Sequence, residues 1–174
     1  MEIACYAPTR MKKWGVALGC LIVASVALWL TFFRASDEDQ IKKTLGELTK
    51  IVAVKEGDTL LSRMGRLRSR MKEVVDDDVR VNVAELNMDV RGRHKFEEDA
   101  AKAGLMFQSA DCELVNVAIR VDPAGTVAQA DAVALVTALR GGERRVDKRD
   151  VHFLLHKDGD WKISTIDVAV PKQE

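Results

Sequence analysis

The sequence predicts an α+β domain in which about three helices pack on a curved, mainly antiparallel sheet, behind an N-terminal transmembrane helix. Three observations lead there. An uncharged run from Trp14 to Phe33 precedes everything else. Two segments with apolar residues on one helical face follow it. From Cys112 onward the period falls to two, broken by short turn signals.

The uncharged run would span about 30 Å as a helix, the hydrocarbon thickness of a bilayer. A cleavable signal has a shorter apolar region followed by a small-x-small site. Ser25-Val26-Ala27 is the best such site, but cutting there leaves Leu28, Trp29, Leu30, Phe32 and Phe33 on the mature end. A lipid attachment at Cys20 is the other rival, yet the strongest apolar stretch lies after that cysteine. A permanent anchor is the favoured reading. Arg10, Lys12 and Lys13 before the run, against Asp37, Glu38 and Asp39 after it, orient the N-terminus toward the cytoplasm. The expected organisation is a short cytoplasmic segment at 1–13, a single span at 14–33, a domain at 37–170 and a tail at 171–174. That places the domain on the periplasmic or extracytoplasmic side of the inner membrane. Met11-Lys12-Lys13 is an alternative translation start to Met1.

Outside the membrane, Ser36 and Asp39 approximate a capping box and open a helix carrying Ile41, Leu45, Leu48 and Val52 on one face. After Gly57-Asp58 a second helix carries Leu60, Met64, Leu67, Met71 and Val74. Its basic stripe of Arg63, Arg66, Arg70 and Lys72 is either a contact for anionic lipid or an acidic partner, or a solvated face. Val79, Val81 and Val83 then alternate, and Leu86, Met88 and Val90 alternate in the opposite phase, predicting a bulge near Ala84-Glu85. Gly92 ends that strand, and Arg93 to Ala103 reads as a short helix closed by Gly104. Four strands complete the domain at about 112–121, 126–140, 143–156 and 161–170. Asp122-Pro-Ala-Gly125, Gly141-Gly142 and Asp158-Gly159 separate them as hairpin turns.

This order of elements, with the closing Gly159-x-Trp161-x-Ile163 pattern, resembles the nuclear transport factor 2-like (SnoaL-like, cystatin-like) cone over residues 37–170. The resemblance implies one of two roles. Some members are ketosteroid isomerases and polyketide cyclases. Others are non-catalytic binding or assembly domains, among them the periplasmic part of the membrane-anchored scaffold subunit of type IV secretion systems.

Charge and cysteines narrow the field. Lys plus Arg and Asp plus Glu both number 27, a balance that argues against nucleic-acid binding. Cysteines at 5, 20 and 112 form no CxxC and no metal spacing. No cofactor is expected.

Taking the turns as two-residue loops fixes a register. Val115, Val117, Ile119, Ala128, Ala130, Ala132, Ala134, Val151, Phe153, Leu155, Ile166 and Val168 then share one face, the side expected to meet the helices. That face offers almost no acid or base, which favours a binding or assembly module over a small isomerase, cyclase or hydrolase with an apolar substrate. Leu114, Val133, Leu154, Trp161 and Ile163 share the other face with Asn116, Asp131 and His152. The apolar five are the expected interface with a second copy or another envelope protein. Leu154→Glu should break that association and spare the fold. Asp131 opposite His152, with Asn116 beyond, is either a proton-transfer pair or a surface ion pair. A small apolar ligand in the cone and a secreted carrier remain further readings.

Overall fold

The structure, a computed structural model, describes residues 36–171. The apolar run at 14–33, its basic flank and the last three residues lie outside the described part. No helix among the described residues is long and apolar enough to cross a membrane.

Helix α1 (Asp37–Val52) starts with Asp37, Glu38 and Asp39 and ends with Lys50, charges that oppose the helix dipole at each end. It buries Ile41, Leu45, Leu48 and Ile51, one stripe at helical spacing. Helix α2 (Leu60–Val74) is opened by Thr59. Its hydroxyl accepts from the Ser62 amide while the Thr59 amide donates to the Ser62 hydroxyl. Such a reciprocal pair satisfies donors that no helical carbonyl can reach. Helix α2 passes directly into β1 (Val75–Val83).

The phase change read as a bulge at Ala84-Glu85 is instead a tight connection. A 3-10 turn at Ala84–Leu86 and a left-handed Asn87 (φ 47°) fold the chain back into β2 (Met88–Arg91), antiparallel to β1. A reversal flips the phase as a bulge does, so the pattern alone could not separate them. Helix α3 (Arg93–Met106) follows Gly92 and runs through Gly104, where the sequence predicted its end. Then come β3 (Ser109–Val121), β4 (Val127–Arg140), β5 (Glu143–Asp158) and β6 (Asp160–Ala169). The six strands lie in the order β2-β1-β6-β5-β4-β3, antiparallel except where β1 runs parallel to β6.

The face expected to meet the helices does so except at Val115, which lies opposite Val133 on the outer face. Ala128, Ala130, Ala132 and Ala134 of β4, Val151, Phe153 and Leu155 of β5, and Ile166 of β6 are all buried against Ile41, Leu45, Leu48, Leu67 and Met71. Two bulges, both invisible to a uniform register, change the rest. Around Asn116, which is left-handed (φ 54°), Val115 pairs with Val133 while Ala118 pairs with Asp131. Leu114 therefore turns inward with Cys112. In β6, Leu154 pairs with Thr165 and Leu155 with Ile163, leaving Ser164 extra; its hydroxyl donates to the Leu154 carbonyl at 3.0 Å. Trp161 and Ile163 consequently lie in the core at 1% and 0% exposure. Of the five residues expected on the outer face, Val133 and Leu154 are there; Leu114, Trp161 and Ile163 are not.

The turns account for part of the difference. Arg140 pairs with Glu143 as expected, around Gly141 and Gly142, both at positive φ. The β3–β4 loop closes two residues wider, Val121 pairing with Ala128, because the Asp122 carboxylate takes the Thr126 and Val127 amides at 2.7 and 2.8 Å. The β5–β6 turn has Gly159 alone at its tip, with Asp158 opposite Asp160.

Candidate functional site

Between the sheet's inner face and helices α1 and α3 lies a cavity of about 290 Å³. Its walls are almost wholly apolar: Leu48 and Val52 from α1, Phe96 from α3, Leu114 from β3, Val136 from β4 and Phe153 from β5. Leu114 reaches it only through the β3 bulge. Four polar side chains also border it, Thr49, Arg63, Cys112 and Arg149.

Each of these four has a structural commitment or is muted by its surroundings. The Thr49 hydroxyl donates to the Gly46 carbonyl at 3.0 Å. Arg63, 2% exposed, donates to the carbonyls of Val52, Ala53 and Ala100 at 2.7 to 3.0 Å. Those carbonyls lie at the end of α1 and within α3, so one guanidinium joins all three helices. Arg149 reaches Glu85 at 3.1 Å and also Asp147. Burial, aided by the nearby Asp111 charge, pushes the Cys112 thiol upward, keeping it protonated and weakly nucleophilic. The chamber can thus desolvate an apolar group.

The basic stripe of α2 divides along similar lines. Arg63 is internal. Arg66 holds Asp58 at 3.0 Å through Nη1 and also donates to the Ala53 carbonyl. Arg70 pairs with Glu47 on α1. These arginines fasten α2 to its neighbours, a role outside both sequence readings; Lys72 is in the last turn of α2.

Asp131 and His152 do meet. They are register partners, and the His152 Nδ1 lies 2.7 Å from one Asp131 oxygen. Arg120 donates to the other oxygen at 2.7 Å. The pair sits on the outer face, away from the cone, with side chains 39% and 48% exposed. The wider β3–β4 loop sets Asp131 opposite Ala118 rather than Asn116, though Asn116 borders the same shallow depression. His156 pairs with Asp76 at 3.0 Å and His94 is near Glu97. Among the described residues no group of three His, Cys, Asp or Glu could hold a metal ion. Reading β3 and β6 as unbroken strands missed Leu114 and Cys112 as cavity residues. The signal was present: Cys112 and Leu114 are out of phase with Val117 and Ile119.

No protein-family model matches the chain, and no curated protein is similar to it in sequence. Solved structures are similar in fold. A nuclear transport factor 2-like protein with a cystatin-like fold from Novosphingobium aromaticivorans is 12% identical. Its TM-score is 0.63, covering 87% of this chain and 91% of that one. A candidate scytalone dehydratase from the same organism is 17% identical, with a TM-score of 0.60 over 78% and 92% of the two chains. A nuclear transport factor 2-like superfamily protein from Salmonella enterica is 18% identical, with a TM-score of 0.55 over 76% and 94%. At these identities the likeness establishes the fold, the α+β cone of nuclear transport factor 2-like proteins.

Proposed function

We propose that this nuclear transport factor 2-like domain is a membrane-anchored, extracytoplasmic binding module whose cone takes a small apolar ligand. The observation that carries this reading is the apolar chamber itself. Its volume lies at the lower end of small-molecule sites, and its walls would stabilise a ligand mainly by removing apolar surface from water. A dehydratase-like reaction, which the structural likeness to a candidate scytalone dehydratase raises, needs a proton acceptor facing the substrate. The polar groups bordering this chamber are two arginines, a protonated thiol and a threonine hydroxyl, which supports binding over turnover.

The ligand half is tested by thermal melting of the protein with indole- or naphthalene-sized aromatics. Binding to the folded state alone raises the melting temperature with ligand concentration. Ala134→Leu, which fills the chamber, should abolish that rise. No rise with any apolar compound, or an undiminished rise in Ala134→Leu, refutes the ligand reading. The anchor half is tested by the intact mass of the membrane-extracted protein. A mass that begins after Ala27 or Ala35, or that includes lipid on Cys20, removes the anchor.

A further inference from the structure

We propose that the free edge of β3 takes up an extended segment of another protein, one that alternates basic and apolar residues. Strand β3 ends the sheet, so one side of its backbone has no neighbouring strand. At one point that side is already in use. The Ala110 amide donates to the Val54 carbonyl at 3.0 Å, and the Ala110 carbonyl accepts from the Val54 amide at 2.7 Å. This isolated antiparallel bridge forms just after α1 ends. Backbone groups alternate along a strand, so Cys112 and Leu114 turn their amides and carbonyls the same way as Ala110. Among the described residues no backbone hydrogen bond reaches them on that side. Beside them lies a groove of about 570 Å³ between β3 and α1, walled on the helix side by Lys42, Leu45, Gly46 and Lys50. The bulge around Asn116 interrupts the ladder, so the open template is the stretch from Asp111 to Val115.

The two open rungs select an extended backbone, because a strand presents donors and acceptors at the spacing they need. The side chains of β3 select the rest. Asp111 and Glu113 point to the outer face and are exposed, and neither has an ion-pair partner within 4 Å among the described residues. An edge residue has a cross-strand neighbour on one side only, here Thr137 for Asp111 and Leu135 for Glu113. An incoming strand supplies the missing neighbours, and lysine or arginine at those positions pairs with both carboxylates. Its alternate residues fall opposite Cys112 and Leu114 on the inner side, toward Leu45 and the bare backbone of Gly46, where apolar side chains belong. Lys42 and Lys50 on the helix wall disfavour a basic residue on that inner side, which fixes the alternate positions that carry charge. A second copy offering its own β3 edge is a poor match. Antiparallel pairing centred on Cys112 or Glu113 sets carboxylate against carboxylate.

The groove shares Thr49, Cys112 and Leu114 with the cone chamber, yet the two readings fail separately, because Ala134→Leu should block the chamber and leave the edge unchanged. The experiment is fluorescence anisotropy of the full-length chain in non-ionic detergent, at about 0.15 M salt so that unspecific charge attraction is screened. The probe is a labelled Lys-Val-Lys-Val-Lys peptide with blocked termini. The wild type should bind it with micromolar affinity and should not bind Glu-Val-Glu-Val-Glu. The double variant Asp111→Lys/Glu113→Lys should bind the lysine peptide roughly tenfold or more weakly and gain the glutamate peptide, a reversal that an unfolded chain cannot produce. The lysine peptide with every backbone amide N-methylated keeps its charge and should not bind. Gly46→Met should also abolish binding by filling the groove, since a Cβ at Gly46 meets nothing within 4 Å and the helix can carry it. A wild type that ignores the lysine peptide, equal binding of the N-methylated peptide, or a double variant without the reversal would each overturn the proposal. So would wild-type affinity in Gly46→Met.

Discussion

The guanidinium of Arg63 clasps the carbonyl oxygen of Ala100, donating from Nε at 3.0 Å and from Nη2 at 2.9 Å. Its remaining donors take Ala53 and Val52 at the end of α1. The cost of burying this charge is offset only because three backbone acceptors converge on it. Arg63→Met keeps the volume but leaves the Val52 and Ala100 carbonyls without this donor. It should lower stability by about 3 kcal/mol or more in urea unfolding. Arg63→Lys should recover only part of that, because one ammonium cannot span the same fork.

The same side chain reverses the sign of an ordinary helix substitution. A Cβ on Gly104 would lie 2.9 Å from Arg63 Cδ and 3.2 Å from its Nε, against a group that cannot swing aside. Gly104→Ala should therefore destabilise by about 1–3 kcal/mol although alanine favours helix. At Gly46 and Gly65, also within helices, a Cβ meets nothing within 4 Å. Alanine there should stabilise by about 0.5–1 kcal/mol. Thermal melts of the three variants compare them directly.

Acid stability should depend on Asp58. The Arg66 guanidinium and the Lys55 amide hold its carboxyl at about 2, below the ordinary 3.8. A carboxylate whose folded value is depressed stabilises the protein fully above its unfolded value. That contribution fades as pH falls from about 4 toward 2. It amounts to roughly 2 kcal/mol for a side chain this well covered. Asp58→Asn should lower stability at pH 7 and flatten its dependence on pH between 4 and 2. An equally steep acid limb in the variant would show that other carboxylates govern it.

Much of this was legible in the chain, and what was not has a common cause. The helices at Asp37–Val52 and Leu60–Val74 follow from their apolar spacing, and the alanine row of β4 correctly marked the helix-facing side. The Asp131–His152 pairing followed from the two-glycine turn, since the bulges lie in β3 and β6 rather than in β4 or β5. Bulges cost the rest. A bulge changes which alternate residues face the core without changing the residues, so Leu114, Trp161 and Ile163 were assigned to the wrong side. Arg63 looked like surface because charge in a helix ordinarily is; the converging carbonyls come from segments 10 and 37 residues away.

Trp161 and Leu154 test that corrected register against each other. Trp161 is buried, accepts the Thr44 hydroxyl at its carbonyl and donates from its indole to Asp37 at 3.0 Å. Lys157 donates to the same Asp37 oxygen at 2.6 Å and stacks over the indole ring. Removing the ring loses its apolar burial, leaves a cavity and loosens the start of α1, so Trp161→Ala should cost about 3–5 kcal/mol. Leu154 sits on the opposite face between Gln129 and Thr165. Leu154→Glu exposes its carboxylate to water and should change stability by less than about 1 kcal/mol. Far-UV circular dichroism through a urea titration distinguishes the two. If Leu154→Glu proved the more damaging substitution, β6 would have to pair with β5 without the Ser164 bulge, and Trp161 would return to the outer face.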